Sequence, residues 1–259
     1  MGLPLFGPVD DPGPSFLGLL KSTGISPFAE PNGDVQVPHG TTCVAMRYAE
    51  GVLVAGDRRA TAGNFIRHRT VEKVVQADDF SAVAISGAAG PAVAMIRLFQ
   101  LQLEHYEKVE GSALSLEGKA NQLSMMVRSN LPAAMQGLAV VPLFAGYDVR
   151  RGVGRLWDYD VTGGRYEELD YVATGSGQLH AATVVKVGWR PGMSRVDAVA
   201  LACRALWEAA DADSATGGPD VLRRIYPVVA TITAEGWARI DDAELATVFD
   251  QIAAEVHPR

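Results

Sequence analysis

HGTTCVAMRYAEGVLVAGDRRAT, residues 39–61, is where the chain changes character. Before it, seven of the chain's 14 prolines fall within residues 1–40. Proline lacks an N–H and keeps its predecessor out of the helical region, so most of that segment cannot be regular structure. On composition alone it reads as well as a disordered tail. One short helical piece is allowed at Ser15-Phe16-Leu17-Gly18-Leu19-Leu20. After Gly40 the texture becomes apolar and regular. Thr41 to Tyr48 predicts a strand, and Gly51 to Gly56 a second, buried one, joined by a turn at Glu50-Gly51.

Downstream, Val71–Gln76 and Ser81–Ser86 predict two more strands, the latter ending at Gly87. A helix starts near Pro91, with Met95, Ile96, Phe99, Leu103 and Tyr106 on one face. A second helix is expected from about Leu116 to Leu131, before Pro132. Strands then follow at 138–147, Arg155–Tyr159 and Tyr166–Thr174. The turn Gly175-Ser176-Gly177 leads into a helix through Val185, and another helix covers Val196–Ala210. A closing hairpin, Val228–Thr233 with Trp237–Ile240, precedes a last helix over Ala243–Ala254. The order is strands, two helices, strands, two helices, two strands, helix. That is not the alternation of a doubly wound sheet. It suits antiparallel sheets packed together and covered by helices, an α+β chain.

A threonine exposed at a new N-terminus has its own chemistry. Its hydroxyl can attack a carbonyl while its own α-amine takes the proton. That amine titrates ordinarily at about 7.7–8.0, close to working pH. Cutting the Gly40–Thr41 bond would create such a group at Thr41, and Gly40, lacking a Cβ, permits a tight backbone there. On these residues alone a plain strand start explains Gly-Thr-Thr as well. Asp57 can equally pair with Arg58 or Arg59, Lys73 can be a solvated charge beside Glu72, and Ser176 can be a helix N-cap.

Taken jointly, the spacings say more. Thr41-Thr42, the hairpin, Gly56-Asp57-Arg58-Arg59-Ala60-Thr61, then Lys73, Gly87, Gly175-Ser176-Gly177 and Asp213-Ser214-Ala215-Thr216-Gly217-Gly218 resemble a proteasome β subunit of the actinobacterial 20S type. Asp57, Lys73 and Gly87 lie 16, 32 and 46 positions after Thr41. The resemblance covers nearly all of 41–256. It implies a four-layer αββα sandwich of the N-terminal-nucleophile hydrolase type. It also implies a prosegment, 1–40, removed autocatalytically from a catalytic domain, 41–259. Thr41 is then the nucleophile of a threonine endopeptidase, a zymogen until Gly40–Thr41 is cut. Asp57 and Lys73 are its acid and lysine, and Gly87 supplies an oxyanion N–H. Ser176, Asp213 and Thr216 flank the amine, Thr216 standing where many members carry serine. Ala60, Thr61, Val71, Val75, Ile85 and Ala89 are implied to contact substrate, with an apolar pocket for the residue before the cut.

The partners implied are proteasome α subunits, further copies of this chain in heptameric rings stacked four deep, a gating ATPase ring acting indirectly, and unfolded polypeptide. Two other readings stay open on sequence: a small-molecule amidase with the same nucleophile, and a structural ring subunit without activity. Retention of Thr41, Asp57 and Lys73 together weighs against the second.

Composition bounds the rest. The 259 residues, 48% hydrophobic and 20% charged, are enough for a sizeable core. A net charge of −7 argues against a nucleic-acid partner. No run of about 18 apolar residues suggests a membrane span, and early prolines interrupt any secretory signal. Cys43 and Cys203 make neither a disulfide framework nor a zinc set, which suits a reducing cytoplasm; Cys43 reads as a small core residue. The five histidines show no metal-ligand spacing, and Gly175-Ser176-Gly177-Gln178 lacks the third glycine of a dinucleotide fingerprint, so neither metal nor cofactor is expected.

Overall fold

The computed structural model describes residues 40–256. Two five-stranded antiparallel sheets stack face to face. The first runs β10 (Tyr171–Gly175), β1 (Thr42–Tyr48), β2 (Gly51–Gly56), β11 (Val228–Thr233), β12 (Gly236–Arg239). The second runs β5 (Val74–Asp78), β6 (Ser81–Gly87), β7 (Val140–Asp148), β8 (Val153–Tyr159), β9 (Arg165–Glu168). Helices α1 (Ala89–Glu110) and α2 (Leu116–Ser129) cover the second sheet, followed by a single turn, α3 (Leu131–Ala134). The first sheet is covered by α4 (Gln178–Gly188), α5 (Arg195–Ala212) and α6 (Asp242–Val256).

The alternation along β1 and β2 explains why both strands are apolar throughout. Val44, Met46, Leu53 and Ala55 face the helices, in one core cluster with Ala202, Leu206 and Phe249. Cys43, Ala45, Val52 and Val54 face the other sheet, against Ala82, Ala84, Leu143 and Leu156. A strand with two buried faces has no polar positions to alternate with. The second sheet repeats the pattern: Val83, Phe144 and Trp157 pack under α1 and α2 with Phe99 and Leu123. Phe144 meets Phe99 edge-on at 6.0 Å and Trp157 at 5.6 Å, geometries that aromatic pairs prefer. The result is the αββα sandwich.

Four local expectations need correction. Tyr166–Thr174 is not one strand. Its first part is the edge strand β9 of one sheet, its second the edge strand β10 of the other, with the crossing at Leu169-Asp170. Arg47 catches both carbonyls there, its backbone N–H donating to Asp170 O at 2.8 Å and its guanidinium to Leu169 O at 3.1 Å. The strand expected from Val71 starts only at Val74, because Val71 N–H is engaged by Arg58 O instead of by the sheet. The second helix stops at Ser129 rather than Leu131, and Pro132 lies in the separate turn α3. Tyr106, expected on the buried face, is exposed, since no buried residue of α1 follows Leu103. A small hairpin, β3 (Ala60–Ala62) with β4 (Phe65–His68), was not anticipated.

Candidate active site

The site forms where β1, β2, β6 and the loop before β5 meet. Thr41, just ahead of β1, is 6% exposed. Its Oγ1 donates to the carbonyl of Gly40 at 2.6 Å, and Lys73 Nζ donates to the same oxygen at 2.7 Å. Hydroxyl and ammonium thus converge on the carbonyl of the Gly40–Thr41 bond. Gly40 is also required by space. A Cβ there would lie 2.7 Å from Thr61 Oγ1 and 2.8 Å from Ala215 O, closer than real Cβ atoms come.

Asp57 follows β2 and is wholly buried. Its Oδ1 accepts from Lys73 Nζ at 2.6 Å and from Thr42 N–H at 2.8 Å. Its Oδ2 accepts from the backbone N–H groups of Gly217 at 2.8 Å and Arg59 at 2.9 Å. Three backbone N–H groups and the lysine cation saturate the carboxylate, the condition under which a buried charge is tolerated. The alternative pairing of Asp57 with a flanking arginine side chain is not what forms: Arg58 donates to Thr70 O and Arg59 to Ser214 O.

Gly87 ends β6 with φ of +102°, and a Cβ there would meet Ala139 O at 2.2 Å, so only glycine fits. It borders the same cavity as Thr41, about 40 Å³, whose apolar wall includes Ala60, Val71, Ile85 and Ala89. Ala92 and Val93 from α1 add to that wall, and Glu72 and Lys73 border it, so the lining is not wholly uncharged. Thr61 is buried beside Gly40. Val75 packs against the core beneath α1 and α2.

The third group lies beyond the carbonyl of Thr41, which accepts from Ser176 N–H at 2.8 Å and has Ser176 Oγ 3.3 Å away. Asp213 caps α5. Its Oδ2 accepts from Ser176 Oγ at 2.5 Å and Thr216 Oγ1 at 2.6 Å, and its Oδ1 from Ala215 N–H at 3.1 Å. Burial alone would raise this carboxyl. The three hydrogen bonds, with His180 nearby, outweigh it and hold Asp213 below the usual carboxylate range.

The six expected polar residues therefore gather around Thr41, with Lys73 and Asp57 on the side of the Gly40 carbonyl and Ser176, Asp213 and Thr216 on the side of the Thr41 carbonyl. Two contributions went unforeseen. Thr42, quoted only as part of a motif, is buried, accepts from Gly177 N–H at 3.0 Å and lies 2.5 Å from Thr216 Oγ1. The amides of Arg59 and Gly217 on Asp57 were unread as well. Cys43, in contrast, is the expected core residue, with burial pushing its thiol up to about 12.

A family model described as proteasome subunit matches residues 37–223. The chain belongs to the proteasome subunit family. A proteasome subunit beta of Acidimicrobium ferrooxidans is 60% identical over 262 aligned residues, covering 98% of this chain and 96% of that one. A proteasome subunit beta of Streptomyces griseus is 59% identical over 220 residues, 85% of this chain and 78% of that one. Membership carries a hydrolase role of the protease kind and assembly with other subunits. Among the described residues, no helix is long and apolar enough to cross a membrane.

Proposed function

We propose that this proteasome-family chain is a catalytic β subunit, a threonine endopeptidase of the 20S core. Residues 1–40 form its prosegment and Thr41 its nucleophile once Gly40–Thr41 is cut. The observation that carries the reading is the convergence of Thr41 Oγ1 and Lys73 Nζ on Gly40 O, with Asp57 neutralising the lysine behind them. In the first cut, Thr41 Oγ adds to the Gly40 carbonyl and the Gly40–Thr41 amide becomes an ester. The amide C–N bond breaks in that shift and frees the α-amine of Thr41; water then hydrolyses the ester, restoring the hydroxyl and releasing the prosegment as its carboxylic acid. In later turnovers that amine takes the hydroxyl proton as Thr41 Oγ adds to a substrate carbonyl, then returns it to the leaving amine. An acyl ester on Thr41 remains, and water releases it.

In this mechanism Lys73 favours the ionised hydroxyl, and the N–H at Gly87 meets the developing oxyanion. Ser176, Asp213 and Thr216 orient the new amine and the water. Ala60, Val71, Ile85 and Ala89 offer hydrocarbon to the side chain before the cut, with Thr61 and Val75 as further substrate-side residues. No metal or cofactor has a role. The partners we propose are α subunits and six further copies of this chain in a ring, two such rings between two α rings, in the cytoplasm. An ATPase ring would deliver unfolded polypeptide.

The deciding experiment is the N-terminal sequence of the assembled protein. Wild type should begin at Thr41, and Thr41→Ala should stay full length. A Thr41→Ala chain that still matures at position 41 in a purified system would remove self-cleavage. Unchanged peptide turnover by that variant would remove the threonine mechanism.

A further inference from the structure

The hydroxyl of Thr42 has one face against Thr216 and one against Gly177, deep in a region without solvent. The donors in this cluster can be assigned. Asp213 is ionised at neutral pH and can only accept. Thr216 therefore spends its single proton on Asp213 Oδ2, at 2.6 Å. The 2.5 Å contact between Thr42 Oγ1 and Thr216 Oγ1 then has only Thr42 left as donor. Thr42 Oγ1 in turn accepts from Gly177 N–H. The order runs one way, from Gly177 N–H to Thr42, to Thr216, to Asp213.

Space agrees with this assignment. A Cβ on Gly177 would sit 2.5 Å from Thr42 Oγ1 and 2.8 Å from Thr216 Oγ1, so glycine leaves room for the two hydroxyls to meet. The backbone secures both ends. Thr42 N–H and Gly217 N–H both donate to Asp57, holding the two threonines' segments on the same carboxylate.

We propose that Thr42 is a positioning residue for this site: its hydroxyl fixes the direction of the hydrogen bond that Thr216 gives to Asp213. The inference rests on the threonine-protease reading above. Each bond in such a chain polarises the next, so the last donor, onto Asp213, is stronger for having Thr42 behind it. Asp213 is thereby kept a charged acceptor beside Ser176 and the end of Thr41. The other groups acting on Asp213 are His180 on α4 and the Ala215 amide, while Arg59 is engaged with the neighbouring Ser214 carbonyl.

The test uses the full chain assembled with its partner subunits. Thr42→Val keeps the shape and drops the hydroxyl; Thr42→Ser keeps the hydroxyl. Thr42→Val should lower kcat about ten-fold, the scale of one buried hydrogen bond, with KM nearly unchanged. The acid limb of its kcat–pH profile should move to higher pH, because Asp213 loses a polarised donor. Thr42→Ser should restore both. In a Thr216→Val background, which breaks the same chain from its other end and should move the acid limb the same way, Thr42→Val should add less than about two-fold. An acid limb that stays at the wild-type pH in Thr42→Val or Thr216→Val overturns the proposal. So does a Thr42→Val loss that multiplies in full with Thr216→Val. If wild type shows no Thr41-dependent turnover, the protease reading fails instead. The relay is then judged by thermal unfolding against pH, whose acid edge Thr42→Val should flatten, because a folded value closer to the unfolded one narrows the range of loss, and Thr42→Ser should not; an edge as steep as wild type overturns it.

Discussion

Lys73 Nζ and Asp57 Oδ1 lie 2.6 Å apart, with both side chains sealed from water. Removing one charge from such a pair strands the other. Asp57→Asn should destabilise the fold by about 3–5 kcal/mol and lower peptide turnover at least about 100-fold. Chemical denaturation and a fluorogenic peptide assay measure the two effects. Near-wild-type values in both would mean that Lys73 is not held by this carboxylate. Lys73→Ala should abolish turnover while leaving assembly possible.

Gly40→Ala tests the close quarters at the first cut. The added methyl meets Thr61 Oγ1 and the Ala215 carbonyl, so the Gly40–Thr41 bond or its neighbours have to shift, which disturbs the close approach of Lys73 to Gly40 O. Intact mass should show uncut chain accumulating. A chain encoded to begin at Thr41 after removal of its initiator should be as active as wild type. Normal maturation of Gly40→Ala would show that the site tolerates a side chain there.

Asp213 titrates below its ordinary value in the folded protein. Its contribution to stability is therefore present above about 3.9, the unfolded carboxylate value, and is lost as pH falls through the lower folded one. Asp213→Asn should flatten the acid edge of the thermal-unfolding profile below about pH 4 and reduce turnover at neutral pH. An acid edge identical to that of wild type would remove Asp213 from that linkage.

The cavity wall of Ala60, Val71, Ile85 and Ala89 gains by covering hydrocarbon, roughly 25 cal/mol per Å². Peptides ending in Tyr or Leu should be cut faster than those ending in Arg or Glu. Ile85→Ala should shift preference toward the larger side chain about ten-fold or more, as a change of a few methylenes would. Faster turnover of the Arg or Glu peptide would sink the apolar pocket, though not the nucleophile.

Cys43 and Cys203 are both buried, and burial pushes each thiol up to about 12. Thiolate is the reactive form, so neither should react with iodoacetamide at pH 8 in the folded protein. Mass spectrometry should find adducts only after unfolding. Rapid labelling of Cys43 in native protein would contradict its place in the core.

Much of this was readable from residues, for definite reasons. The apolar run of β2 announces itself because both its faces are buried. Asp57 and Lys73 stand out only through the family resemblance, which their spacings from Thr41 match; by themselves each reads as an ordinary surface charge. The crossing at Leu169-Asp170 does not, because Tyr166–Thr174 contains no glycine or proline to punctuate it. The backbone donors onto Asp57 leave no mark either, since any residue type has an amide. Thr42 was in plain view, but its partner Thr216 lies 174 positions away, and no local pattern connects two hydroxyls across that distance.

The carbonyl of Gly40 has a consequence for timing. While the chain is uncut, that oxygen occupies both the Thr41 hydroxyl and the Lys73 ammonium. Under the reading proposed here, a newly made subunit carries its own stopper, and the stopper is also the first molecule it cuts. Activity would then begin once per chain and irreversibly, at a moment set by the geometry around one peptide bond and not by the arrival of substrate.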